Sequence, residues 1–288
     1  TNKFIWRITN SVCPSSRDTV SIIRDAMPSA ANAGSNQTIC LSSTFINAIN
    51  PSIGNGMWSV ASGTATFVNP NQDNTTVSGL SVGTNDLIWT VTNGVCPASR
   101  DTVFIVRSAV PTTSDAGSDQ AVCATSSILN GNDPAIGNGT WSLLSGTGTI
   151  SNPNVYNSAV TSLGLGTNKF IWKITNSVCP TSRDTVSISR DAMPSAANAG
   201  TNQTICSSSS LLAANNPVVG SGVWSVLSGS GNFSDPLAFD TPINTLAVGA
   251  NKFIWTISNG TCPSSKDTVT ISRDDLPTTA NSGIDQPI

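Results

Sequence analysis

The sequence contains no histidine and no glutamate, so that all 16 of its acidic residues are aspartate. Histidine is the commonest general base and supplies the imidazole ligand of many metal sites. Charged residues make up only 10% of the chain, with a formal net charge of −3, whereas nucleic-acid binding needs clustered lysine and arginine. No run of about 18 apolar residues is long enough to cross a membrane. We therefore expect a protein that is not an enzyme, with no catalytic residues, cofactor, metal ion, nucleic-acid partner or membrane span.

A segment of the sequence returns at a constant step. It begins at Thr1, Thr84, Thr167 and Ala250, so the step is 83 residues each time, without insertion. Residues 1–34 and 167–200 differ at only three positions, which indicates a recent duplication. A fixed period of this kind is the signature of a tandem-repeat architecture.

Within each repeat, apolar and polar residues alternate as half-buried strands require. Phe4, Trp6 and Ile8 share one face of a strand, and Leu87, Trp89 and Val91 share the same face in the next copy. Seven short strands separated by Gly-, Asn- and Pro-rich turns are typical of an Ig-like sandwich. We predict an all-β protein of tandem Ig-like (PKD-like) β-sandwich domains in a linear array, with each repeat's two tryptophans buried on facing sheets. The predicted strands of the first full repeat lie near 33–39, 44–48, 57–61, 66–68, 75–77, 86–92 and 101–107.

The repeat sets the expected domain limits, and short Pro-containing linkers such as Arg24–Pro28 set a semi-rigid, head-to-tail order. Because Thr1–Asn10 already has the pattern of a strand inside a domain, we expect that neither end of the sequence is a native terminus. The predicted limits are 1–24 for the C-terminal part of a repeat (strands F and G), 28–107, 111–190 and 194–273 for full repeats, and 277–288 for the first strand of the next repeat.

Three stretches of the first full repeat carry a family resemblance: Asn32–Cys40, Gly56–Ser59 and Val91–Pro97. They resemble the PKD-like and Ig-like repeats of large cell-surface proteins from Bacteroidetes, including gliding-motility adhesins. The WDFGDG-type strand of typical PKD domains is absent and is replaced by Trp-Ser-Val or Trp-Ser-Leu. The resemblance implies an exported structural or adhesive repeat at the cell surface.

Seven cysteines are spaced alternately 27 and 56 residues apart, which predicts a disulfide framework in an oxidising, extracellular setting. No Cys-x-x-Cys pair and no histidine are present to build a zinc site. The cysteines are Cys13, Cys40, Cys96, Cys123, Cys179, Cys206 and Cys262.

Two pairing schemes are open. The simpler one lies within each repeat and joins Cys40–Cys96, Cys123–Cys179 and Cys206–Cys262. The A–B and F–G turns that carry these residues lie at opposite poles of an Ig-like sandwich, roughly 20 Å or more apart, whereas a disulfide needs Cα atoms within about 7 Å. In stacked domains the A–B pole of one repeat faces the F–G pole of the next. This argument favours the inter-domain pairs Cys40–Cys179 and Cys123–Cys262, with Cys13, Cys96 and Cys206 pairing beyond this sequence.

Asp-Thr-Val recurs at the predicted start of strand G in every copy. The plain interpretation is a strand start with a solvent-facing threonine. The tripeptide also looks like the O-glycosylation acceptor of exported Bacteroidetes proteins, which makes candidates of Thr19, Thr102, Thr185 and Thr268.

The leading functional hypothesis is a disulfide-reinforced repeat region of an extracellular filament or surface-adhesin stalk, which gives length and tensile strength. Its partners would be neighbouring repeats of the same chain and other copies in a fibre. The alternative is a carbohydrate- or surface-binding adhesive module that recognises surface glycans, for which Tyr156 and Phe239 distinguish the later copies.

Overall fold

The computed structural model describes residues 1–283, and within that range every regular element is a β-strand. The strands are β1 Asn2–Ile8, β2 Ser16–Ile22, β3 Gln37–Ile39, β4 Thr44–Asn47, β5 Asn55–Ser62, β6 Thr66–Phe67, β7 Asn74–Ser78, β8 Gly83–Thr92, β9 Ser99–Arg107, β10 Gln120–Val122, β11 Ser127–Ile128, β12 Asn138–Ser145, β13 Thr149–Ile150, β14 Ala159–Thr161, β15 Gly166–Thr175, β16 Ser182–Arg190, β17 Gln203–Ile205, β18 Ser210–Ala213, β19 Ser221–Ser228, β20 Asn232–Phe233, β21 Asp240–Asn244, β22 Gly249–Ser258 and β23 Ser265–Arg273.

Contacts divide the chain into two compact units. The first comprises Thr1–Thr113, Pro134–Gly139 and Ile174–Ser182. It contains the β1-β2 pair, a four-stranded sheet in the order β3-β9-β8-β5 and a three-stranded sheet in the order β4-β7-β6. β3 runs parallel to β9, whereas the β8 pairings with β5 and β9 are antiparallel.

The second unit comprises Ser114–Asp133, Thr140–Lys173 and Arg183–Ile288. The same strand orders recur as β10-β16-β15-β12 with β11-β14-β13, and as β17-β23-β22-β19 with β18-β21-β20. Its largest core cluster surrounds Trp224, Phe253 and Trp255, each at most 2% exposed. The pattern of short strands that the 83-residue step predicts is therefore present in each copy.

The tryptophans of the first full repeat lie side by side in one sheet. Trp58 of β5 and Trp89 of β8 are directly opposite in the antiparallel register, with ring centroids 5.1 Å apart. Both are buried, at 2% and 1% exposure. The prediction that they lie on facing sheets is wrong, because β5 and β8 are hydrogen-bonded neighbours whose inward faces coincide.

The first strand of the repeat is shorter than predicted. It spans Gln37–Ile39 rather than 33–39, because the Ala33 N–H donates to the Asp101 carboxylate (2.7 Å) instead of joining a strand ladder. Gly34 follows at φ 84°, a left-handed conformation that glycine adopts without steric cost. The Asp101 side chain thus ties down the segment that enters the sheet.

The two ends of the chain carry partial strand sets. β1 and β2 form a two-stranded antiparallel sheet in the predicted 1–24 segment, and its apolar side chains are exposed, including Phe4 at 55% and Trp6 at 73%. The strand predicted within 277–288 would, by the 83-residue step, correspond to Gln37–Ile39. That correspondence places it in 284–288, outside the described residues.

Asn85 is fully buried and uses both ends of its amide. Its Oδ1 accepts from the backbone N–H groups of Thr64 and Ser81 (both 3.1 Å) and from the Ser81 hydroxyl (2.8 Å). Its Nδ2 donates to the Ser81 and Ile105 carbonyls (2.9 and 3.2 Å). Asn168 and Asn251 repeat this arrangement in the second unit. One side chain therefore pins two loops to β9.

Replacing Asn85 with alanine should destabilise these loops by about 1–3 kcal/mol, because several buried donors and acceptors lose their partner. Hydrogen exchange should accelerate at the Thr64 and Ser81 amides. The exposed Asn50→Ala change is the matched control and should alter stability by less than about 0.5 kcal/mol. Unchanged exchange at both amides in Asn85→Ala would contradict the assigned role.

Candidate functional site: two disulfide-linked turns

The structure joins Cys40 to Cys179, two residues that are 139 positions apart in the sequence. Cys40 directly follows β3, and Cys179 lies in the turn between β15 and β16. Their Cα atoms are 5.0 Å apart, within the usual range for a disulfide. Cys179 is buried, with 6% exposure. The chain-entropy model assigns about 5 kcal/mol to closing a loop of this length.

Hydrogen bonds hold both partners of this disulfide. The Asn176 side-chain amide donates to the Ala109 carbonyl (2.7 Å) in the linker after β9. The Cys179 N–H donates to the Asn176 carbonyl (3.0 Å), which closes the turn. On the other side, the Arg107 Nε donates to the Cys40 carbonyl (3.4 Å) and its Nη1 to the Leu80 carbonyl (2.8 Å). The linker therefore contacts the segments of both cysteines.

The second unit contains the equivalent disulfide between Cys123 and Cys262, with Cα atoms 4.9 Å apart. Cys262 is 7% exposed. The Asn259 amide donates to the Ala192 carbonyl (2.8 Å), as Asn176 does to Ala109. In addition, the Asp191 carboxylate accepts from the Thr261 N–H (2.8 Å) and hydroxyl (3.1 Å).

The same turn-to-linker contact exists at Cys96, which has no disulfide partner among the described residues. The Asn93 amide donates to the Ala26 carbonyl (2.9 Å), and the Val95 N–H donates to the Asp25 carboxylate (3.2 Å). Hydrogen bonds thus dock this turn on its linker without a disulfide. Cys13 and Cys206 are the other free cysteines in residues 1–283, and both are exposed.

The within-repeat scheme is not the connectivity of this structure. Cys96 is free, whereas Cys40, the partner that this scheme assigns to it, is bonded to Cys179. Likewise Cys206 is free, and Cys262 is bonded to Cys123.

The four Asp-Thr-Val threonines lie on strands, at uneven exposure. Thr19, Thr185 and Thr268 are exposed, whereas Thr102 is half-buried in β9. The aspartate of the motif has a role that the sequence did not reveal. Asp184 and Asp267 accept from the Ala116 and Ala199 N–H groups (both 2.7 Å), as Asp101 does from Ala33.

The turn asparagines Asn93, Asn176 and Asn259 were also missed by sequence reasoning. The signal was available, because an asparagine stands three residues before Cys96, Cys179 and Cys262. In residues 1–283, no three His, Cys, Asp or Glu side chains cluster as a metal site. The same range holds no helix of the length and apolarity that a membrane crossing requires.

No family profile and no curated protein matches this sequence. Solved structures do. An I-band fragment from titin is 10% identical, with a TM-score of 0.50 over 88% of this chain and 100% of that one. The N-terminal eight Ig domains of Down Syndrome Cell Adhesion Molecule are 12% identical, with a TM-score of 0.56 over 94% of this chain and 39% of that one. The fold is a tandem of Ig-like sandwiches. At these identities the similarity concerns the fold alone.

Tryptic digestion without reduction tests the disulfide pairing. Peptide 174–183 holds Cys179 and should be recovered linked to peptide 25–100, which holds Cys40. Recovery of 174–183 linked to 108–169 would instead establish the within-repeat pair Cys123–Cys179. The Cys40→Ser variant is the matched control, in which 174–183 should be released as a free peptide.

Proposed function

We propose that this chain is a structural repeat region of an extracellular filament or surface-adhesin stalk, in which disulfides connect successive repeats. The domain limits 28–107, 111–190 and 194–273 are part of this proposal. The observation that carries it is the Cys40–Cys179 disulfide, which links residues belonging to different copies of the 83-residue step. A disulfide between copies reinforces a chain of domains at the point where a linker alone would otherwise carry tension.

The setting follows from the same cysteines. Disulfides persist in oxidising compartments, which supports an extracellular or cell-surface location and, with the motif resemblance, an origin among Bacteroidetes surface proteins. The partners in this proposal are neighbouring repeats and other copies of the chain. The buried turn cysteines and the uniform step support a load-bearing role more than a catalytic one.

A glycan-binding role has less support in the residues that would carry it. Sugar stacking needs an exposed aromatic face, whereas Trp58, Trp89 and Trp255 are at most 2% exposed. Tyr156 is half-exposed at 38%, and its carbonyl accepts from the Trp141 indole N–H (3.0 Å). Surface glycans are therefore the secondary hypothesis for a partner.

O-glycosylation of the Asp-Thr-Val threonines would suit the proposed stalk. Exposure of Thr19, Thr185 and Thr268 permits it, and half-burial disfavours it at Thr102. In protein isolated from its native source, we expect mass additions on peptides 18–24, 184–190 and 267–273, with peptide 101–107 modified least. Unmodified masses for all four peptides would exclude this modification.

Single-molecule extension of the full chain tests the proposed mechanical role. A disulfide between Cys40 and Cys179 keeps 139 residues out of the extended polypeptide. Because an extended residue spans up to about 3.6 Å, the oxidised chain should extend roughly 500 Å less than the reduced chain. The shortfall should disappear when dithiothreitol is present.

The matched control is the double variant Cys40→Ser/Cys123→Ser, which should extend fully with or without reductant. Both cysteines must be changed, because either remaining disulfide shields the same number of residues. An oxidised wild-type chain that extends as far as the reduced one would overturn the proposal.

A further inference from the structure

Each described turn-to-linker contact pairs one linker position with one turn position. The linker position holds Asp25, Ser108 or Asp191, and it precedes the alanine whose carbonyl accepts the turn asparagine. The turn position directly follows that asparagine and holds Gly94, Ser177 or Gly260, respectively. Aspartate therefore occurs with glycine, and serine occurs with serine.

The turn position has a left-handed backbone in all three contacts. Its φ is 54° at Gly94, 49° at Ser177 and 50° at Gly260. Such angles favour glycine, since a side chain is strained there. Backbone strain alone does not explain the pairing, because Ser177 adopts the same conformation as the two glycines.

The carboxylate explains it. Asp25 and Asp191 each place Oδ2 where it accepts from the N–H that follows the turn glycine, on Val95 and Thr261 (3.2 and 2.8 Å). A Cβ on Gly94 would overlap the Asp25 carboxylate, and a Cβ on Gly260 would overlap that of Asp191. The carboxylate that caps the turn therefore occupies the space that a turn side chain would need.

The serine pair is the complementary solution. Ser177 carries a Cβ at the turn position, and the linker Arg107–Pro111 contains no carboxylate to collide with it. The asparagine bond is retained, from Asn176 to Ala109. This contact thus keeps the shared hydrogen bond and omits the aspartate cap.

We infer that these two positions form a matched recognition surface that determines which linker a given turn accepts. A glycine turn fits a linker with aspartate, and a serine turn fits a linker with a short uncharged side chain. A serine turn against an aspartate linker is excluded by overlap, so the partner of each surface is one class of repeat and not every repeat. This rule concerns recognition and holds whether or not the chain bears load.

A double-substitution cycle on the full chain tests the inference at Ser108 and Ser177. The readout is the equilibrium between the Cys40–Cys179 disulfide and glutathione. Two glutathione thiols reduce the disulfide to two cysteine thiols and leave as glutathione disulfide. Trapping by alkylation followed by mass spectrometry gives the reduced fraction, and Cys123–Cys262 in the same molecules serves as the internal control.

Ser108→Asp alone should make Cys40–Cys179 about 3-fold or more easier to reduce, since the new carboxylate meets the Ser177 side chain. Ser108→Asp/Ser177→Gly should restore at least wild-type resistance and slow hydrogen exchange at the Val178 amide, the new acceptor's donor. The product of the single effects should therefore miss the double by about 3-fold or more, within the range seen for residues in contact.

The reverse cycle uses Asp191 and Gly260, with Cys123–Cys262 as the readout. Gly260→Ser should weaken that disulfide more in the presence of Asp191 than in Asp191→Ser. Single effects that simply multiply in both cycles would overturn the inference, as would a Ser108→Asp variant with wild-type resistance. If one variant misfolds, the cycle at the other contact decides by the same criterion.

Discussion

The hydrogen bond from a turn asparagine to a linker carbonyl is the interaction on which both disulfides depend. It is present at Asn93, Asn176 and Asn259, with donor–acceptor distances from 2.7 to 2.9 Å. The cysteine three residues later then lies at a fixed place beside the linker. Because Asn93 makes the bond while Cys96 is free, docking does not require the disulfide. Pre-positioned cysteines lose less conformational freedom when they are joined.

Period-two alternation predicted much of the fold. The seven strands of the first full repeat lie where the apolar and turn patterns place them, and β8 buries Leu87, Trp89 and Val91 as expected. Alternation states which residues of one strand share a face, but not which strands are neighbours. Trp58 and Trp89 were therefore placed on facing sheets, whereas they are adjacent in one.

The rest of the candidate site depends on contacts between residues that are far apart in sequence. No local pattern indicates that Asp101 accepts from Ala33, or that Asp191 accepts from Thr261. Both aspartates look like ordinary surface charges in the sequence. The cysteine pairing remained open at that level because two schemes fit the same spacing, and only an argument about strand polarity separated them.

Polar side chains do in this fold what longer strands do in others. β3, β10 and β17 each span only three residues, so few ladder hydrogen bonds hold the start of each sheet. Buried or half-buried groups on Asp101 and Asn85 supply further bonds to the backbone on either side. This use of Asp and Asn is consistent with a chain that has few charges and many Asn-rich turns.

The two disulfides enclose overlapping stretches of the sequence, since Cys123 lies between Cys40 and Cys179, and Cys179 lies between Cys123 and Cys262. Any single peptide bond between Cys40 and Cys262 is therefore bypassed by at least one disulfide. A protease that cuts one exposed loop there produces two polypeptides that remain one covalent molecule. In this connectivity the chain is a network with redundant paths, and it takes a second cut or a reductant to separate its ends.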